Sequence, residues 1–146
     1  MELDELYQEL LLDHFKHPRG KIAVTSPTCN CAMHNPLCGD NVEVFARVKD
    51  SKIEEIGFQG SGCSISQASA SMMTEVCKGI TVEKAKELSS LFHQMMKEDL
   101  SEEKRVPLGD AASLSGVRKF AARIRCALLG WEALDRCLKV SGQPLA

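Results

Sequence analysis

The first apolar positions of the chain, Leu3, Leu6, Tyr7, Leu10, Leu11 and Phe15, recur at helical spacing. They predict an amphipathic helix that ends before Pro18. From His17 to about Asp40 the period is lost; three prolines, three cysteines, Asn30, Asn35 and Gly39 mark a long loop, with a third strand placed near Ile22–Thr25. Then Val42, Val44, Ala46 and Val48 alternate with polar residues, as in a half-buried strand, and Asp50-Ser51 turns the chain into a second strand over Ile53–Phe58. Gly60-Ser61-Gly62 breaks that strand, and a helix starts near Cys63 with Ile65, Ala68, Met72 and Val76 inward and Gly79 as its stop. Thr81 caps a further helix through Val82, Ala85, Leu88, Phe92 and Met95. Lys97–Arg105 is a charged connector, Val106–Gly116 is irregular, and a last helix runs from about Val117 to Leu138. Its inward residues are Phe120, Ile124, Ala127, Leu128, Trp131 and Leu134. A short antiparallel sheet followed by segregated helices is the α+β class.

No repeat or linker divides this pattern, so residues 1–146 are taken as one domain, a length that buries a core of its own. The formal net charge is -2 and no run of one sign dominates, which leaves no electrostatic case for nucleic acid or an anionic membrane. The acidic start, Met1-Glu2-Leu3-Asp4-Glu5, is wrong for a secretory leader, and no apolar run reaches the roughly 18 residues of a membrane span. A cytoplasmic protein is expected. Seven cysteines change the picture, because in a reducing compartment metal binding or thiol chemistry is a better reading of them than disulfides.

Three segments place a thiol where chemistry can use it: Asn35-Pro36-Leu37-Cys38-Gly39-Asp40, Gly60-Ser61-Gly62-Cys63-Ser64-Ile65-Ser66 and Arg123-Ile124-Arg125-Cys126-Ala127. Gly39 permits a tight turn, so that Cys38 and Asp40 can face one point. Cys63 stands at a helix start, where the dipole and free N–H groups favour a thiolate. Arg123 and Arg125 flank Cys126 and would favour its ionised form. Three thiolates and one carboxylate suffice for tetrahedral zinc or for one side of an iron–sulfur cluster. Without a C-x-x-C pair, a set of scattered buried thiols is an equal reading of the same residues.

In this order the three segments resemble the scaffold family of iron–sulfur cluster assembly, the IscU, SufU and NifU N-terminal group, over essentially the whole chain. Ser66-Gln67-Ala68-Ser69-Ala70-Ser71 continues the likeness. Arg125-Cys126 where IscU-type scaffolds carry His-Cys, and the long segment between Cys63 and Cys126 with Leu108-Gly109-Asp110, are similar to the SufU branch. The resemblance implies a small three-stranded antiparallel sheet packed by several helices, of the SufE/NifU type. It implies Zn2+ held by Cys38, Asp40, Cys63 and Cys126, with Cys38 accepting persulfide sulfur from a pyridoxal-phosphate cysteine desulfurase of the SufS type. Cluster-assembly or acceptor proteins would be the next partners. Such a protein is a sulfur acceptor and not a turnover enzyme on its own.

Two other functions use the same residues: a scaffold on which a [2Fe–2S] cluster is built and passed on, and a structural zinc module that docks partners. Cys29 and Cys31, just upstream of the first segment, lie outside the family pattern; extra ligands, a sulfur relay and plain loop positions all remain open for them. His34 is taken as a solvated loop residue, His14, His17 and His93 as structural or surface, and Cys77 and Cys137 as small buried side chains. Met72, Met73, Met95 and Met96 are taken as core filler.

Overall fold

The computed structural model describes residues 3–141, without the side chains of Leu3, Asp4, Leu6, Val140 and Ser141. Helix α1 (Leu3–Lys16) leads to strands β1 (Cys29–Asn35), β2 (Asp40–Lys49) and β3 (Lys52–Ser61). Helices α2 (Ser64–Cys77) and α3 (Val82–Lys97) follow, then a single turn α4 (Glu102–Arg105), a run of 3₁₀ turns over Val106–Lys119 and the long helix α5 (Ala121–Ser141). The strands form one antiparallel sheet in the order β1-β2-β3. The α+β architecture expected from the pattern is the one observed.

The β2–β3 hairpin turns where expected. Asp50 and Ser51 both adopt positive φ (53° and 64°), the conformation of the two-residue turn that matches strand twist. β3 continues through Gly60 and Ser61, so these residues extend the strand that they were expected to break. The third strand is not at Ile22–Thr25; it is Cys29–Asn35, inside the stretch read as loop. Its inward positions are Cys29, Cys31, Met33 and Asn35, and strand propensity gives no signal from such residues.

Helix α2 is the interior element. Its buried side chains include Ile65, Ala68, Met72 and Met73, and also Ser66, Ser69, Ser71 and Thr74, so it is enclosed on nearly every side. α1, α5 and the 3₁₀ run pack on it, and α5 also lies across β1 and β2. Small polar residues are tolerated there because each is bonded; Ser69 Oγ–H, for example, donates to the Ala127 carbonyl of α5 at 2.7 Å. Thr81 caps α3 as expected, its Oγ1 accepting the Lys84 N–H at 3.0 Å. Phe92 of α3 stacks on Trp131 of α5 with ring centres 4.7 Å apart, worth about 1 kcal/mol beyond the area the pair buries.

Four further expectations are corrected. On α1 the inward position falls to His14, fully buried, while Phe15 is exposed. Leu100 is buried, so the Lys97–Arg105 connector is pinned to the core at that point. Val106–Gly116 is regular 3₁₀ structure with a kink at Gly109, whose φ of +58° requires glycine. Phe120 ends that run outside helical geometry (φ -122°, ψ 82°) and is exposed, because α5 begins only at Ala121.

Cys29 and Cys137 are joined by a disulfide, against the expectation that thiols would stay reduced. The register explains the pairing. Cys29 opens β1 opposite Ala46 of β2, and the small alanine leaves room for Cys137 of the overlying α5 to reach it.

Candidate metal centre

One end of the sheet, the start of α2 and the first turns of α5 converge. Asn35 ends β1 and Asp40 begins β2, so the four residues between them form a turn at the sheet's edge. Gly39 supplies its positive φ (68°), which lifts Cys38 to the surface while returning Asp40 to the interior. Asp40 is 1% exposed. Its Oδ1 accepts the Cys63 N–H at 2.7 Å, and its Oδ2 lies 3.6 Å from Cys63 Sγ. That approach depends on Gly62. A Cβ there would stand 2.3 Å from Asp40 Oδ1, and the φ of +141° is itself a glycine conformation.

Cys63 is the N-cap of α2, its Sγ accepting the Ser66 N–H at 3.5 Å where a serine or aspartate oxygen is usual. The N–H groups and dipole of the helix thereby face the sulfur. Cys126 comes from α5 and is fully buried; its Sγ lies 3.6 Å from Cys38 Sγ. Burial, then hydrogen bonds with Asp40 and Cys38, push the Cys126 thiol far above the ordinary range. Arg123, one turn earlier, lies near Cys126, Cys63 and Cys38, and these sulfurs raise its own pKa.

The ligand atoms of Cys38, Asp40 and Cys126 lie within 4.8 Å of one another, and Cys63 adjoins them through Asp40. Two thiolates bound to tetrahedral zinc at about 2.3 Å stand about 3.8 Å apart, so the 3.6 Å between Cys38 and Cys126 fits such an ion. The donor set, sulfur with one carboxylate, suits zinc or iron equally. All four residues named from the sequence are therefore brought together. Of the two arginines, Arg123 reaches the site; Arg125 is exposed, and among the described residues no hydrogen bond or ion pair ties it there. His34 sits on the outer face of β1, and Cys31 lies towards the opposite end of that strand.

Sequence reasoning missed two neighbours. Buried Asn35 donates from Nδ2 to Cys126 Sγ at 3.6 Å and accepts the Leu37 N–H on Oδ1 at 3.3 Å, linking the Cys38 turn to α5. Its place immediately before a proline was the available signal, since that backbone is held extended and leaves the side chain free to bond. Tyr7 of α1 is nearly buried, and the Cys63 charge adds to burial in raising its phenol while Arg123 opposes them. Helical periodicity registers it only as apolar.

A second convergence, His14 with Glu75 and Asp110, has a different character. Ser71 Oγ accepts the Arg19 N–H at 2.8 Å and lies 2.7 Å from His14 Nδ1, while Nε2 lies 2.8 Å from Asp110 Oδ2. Nδ1 shares a hydrogen bond with Ser71 Oγ, and Nε2 donates to the Asp110 carboxylate. Both ring nitrogens are thus used in tying α1 to α2 and the 3₁₀ run.

The fold recurs in known proteins. The model of the NifU-like N-terminal domain matches residues 6–136. The chain belongs to this family. Among NifU-like relatives, the zinc-dependent sulfurtransferase SufU of Bacillus subtilis is 42% identical over 92% of this chain and 90% of its own length. The iron–sulfur cluster assembly scaffold protein IscU of Streptococcus pyogenes is 37% identical over 96% of this chain and 87% of its own. A solved structure from Fervidobacterium islandicum, described as an iron–sulfur cluster assembly scaffold for the SUF system, superposes with a TM-score of 0.83 at 29% identity. It covers 92% of this chain and 97% of its own. Among the described residues no helix is long and apolar enough to cross a membrane.

Proposed function

We propose that this NifU-like protein acts in iron–sulfur cluster assembly as a zinc-dependent acceptor of persulfide sulfur. Zinc would be held by Cys38, Asp40, Cys63 and Cys126, and the donor would be a pyridoxal-phosphate cysteine desulfurase of the SufS type. The observation that carries the reading is the asymmetry of the four side chains. Asp40 and Cys126 are buried, Cys63 is half-buried at its helix cap, and Cys38 alone is exposed, beside a Leu37 that is 92% exposed. Three side chains are built to stay; one is placed to meet a partner. The likeness to the Bacillus sulfurtransferase supports the same choice.

Bound zinc would keep the thiolates ionised near neutral pH without redox chemistry of its own. The transfer is then a displacement at sulfur. The Cys38 thiolate attacks the outer sulfur of the donor persulfide, a new S–S bond forms on Cys38 and the donor's S–S bond breaks. The donor cysteine leaves as its thiolate, the outer sulfur keeps its proton, and no electrons are gained or lost overall. Arg123 places a cation over the sulfurs, and Asn35 keeps Cys126 oriented while Cys38 reacts. Exposed Leu37 offers an apolar contact next to the reacting thiol.

Two measurements decide it. Protein purified without oxygen should hold about one zinc per chain and little iron or acid-labile sulfide. Cys38→Ala should keep its fold and lose the ability to stimulate desulfurase turnover. Matched iron and sulfide with little zinc would move the function to the cluster scaffold, and full stimulation by Cys38→Ala would end the acceptor reading.

A further inference from the structure

Four cysteines take no part in the metal centre, and three of them lie together. Cys29 and Cys137 form their disulfide around Ala46, and the free thiol Cys31 packs against that same cluster. Cys29 and Cys31 are two apart on β1 and therefore share its inner face, under α5. Their exposures differ in a way that matters for reactivity. Cys29 is 6% exposed and Cys137 fully buried, whereas Cys31 is half-exposed.

We propose that Cys29, Cys31 and Cys137 form a second thiol site, one that exchanges its disulfide with dithiols and uses Cys31 as the point of entry. Disulfide exchange requires a thiolate to reach one of the bonded sulfurs. Cys137 is closed to a reagent in solution and Cys29 nearly so, but Cys31 packs against their cluster. The Cys31 thiolate attacks Cys137 Sγ, the Cys31–Cys137 bond forms, and Cys29 leaves as a thiolate that takes up a proton. Cys137 is the better target. Two neighbours on one strand face stand about 6.6 Å apart at Cα, near the upper limit for a disulfide, while Cys137 faces the strand from α5. The external dithiol next attacks Cys31 Sγ and expels the Cys137 thiolate, which is protonated. Its second thiol closes on the first and restores Cys31. In total the dithiol is oxidised to a cyclic disulfide, and Cys29 and Cys137 become thiols.

The site has a structural consequence, because it clamps the far end of α5 to the far end of β1. The other ends of the same two elements meet in the Asn35–Cys126 contact. Opening the disulfide frees one end of the helix that carries Cys126.

The test is the rate at which dithiothreitol opens the disulfide in the intact folded protein, followed by acid quenching, alkylation and peptide mass spectrometry. The Cys29–Cys137 bond should be present in protein purified without reductant. Its opening should be at least about tenfold slower in Cys31→Ser and Cys31→Ala than in the parent, with all three alike in denaturant, where access is equal. Equal rates in the folded proteins would overturn the proposal. The readout is independent of metal content, so it stands or falls apart from the zinc assignment.

Discussion

Sulfur meets α5 at both ends of β1, in the turn that follows it and at its first residue, and the two meetings differ. At one end Cys126 faces Cys38 at 3.6 Å and the sulfurs stay unlinked, among a carboxylate, a helix N-terminus and Arg123. At the other end Cys29 and Cys137 are bonded, and the apolar side chains clustered with them are Ala46 and Cys31. The strand and the helix are the same; the surroundings decide. Polar groups that bond thiolates hold sulfur atoms as separate ligands, whereas an apolar wall offers them nothing but each other.

The largest test of this contrast removes a polar ligand. Asp40→Ala or Cys126→Ser should lose zinc by more than the 10–100-fold typical of an outer-shell change, measured by competition with a chromogenic chelator. Next comes the covalent end. Cys29→Ser should lower stability to urea by about 5 kcal/mol, the chain-entropy value for a loop of 108 residues, and the loss should vanish when the parent is reduced. Asn35→Ala, which takes one hydrogen bond from Cys126, should weaken zinc roughly tenfold and shift the thiolate-to-metal bands of the cobalt-substituted protein. The smallest effect belongs to a thiol with neither kind of surroundings. Burial, aided by Asp135, pushes Cys77 up to about 12, so it should resist iodoacetamide in the folded protein. Above the ordinary thiol value of 9.0 the unfolded chain releases a proton that the folded chain keeps until about 12, so Cys77 lowers stability as pH rises through that window. Labelling of Cys77 as fast as Cys38 would break the comparison.

Much of this was legible in the sequence, for identifiable reasons. β2 alternates buried apolar with more exposed residues, α3 begins at a threonine cap, and glycines mark the turns beside Cys38 and Cys63. Those local signals, with the family resemblance, were enough to name the four side chains that converge. β1 was not legible, because its inner face is made of cysteine, methionine and asparagine. The disulfide was not legible either, since its partners are 108 residues apart and only register brings them together. Phe15 and Phe120 look apolar enough to be core; a buried histidine and a late helix start displaced them. The 3₁₀ run has no apolar period to announce it, although Leu108, Leu114 and Val117 are fully buried.

The serine-lined interior of α2 bears on how the protein can vary. A Cβ added at Gly130 of α5 would stand 3.2 Å from the Ala70 Cβ, so the two helices nearly touch backbone to backbone. These helices carry Cys63 and Cys126. The distance between those sulfurs is consequently inherited from main-chain contact and hardly from the rotamers of large side chains. Repacking elsewhere in the core can drift without disturbing the centre, but a single added methyl along the α2–α5 seam would widen it. Lineages of this protein should be permissive in their leucines and methionines and strict in their glycines, alanines and serines.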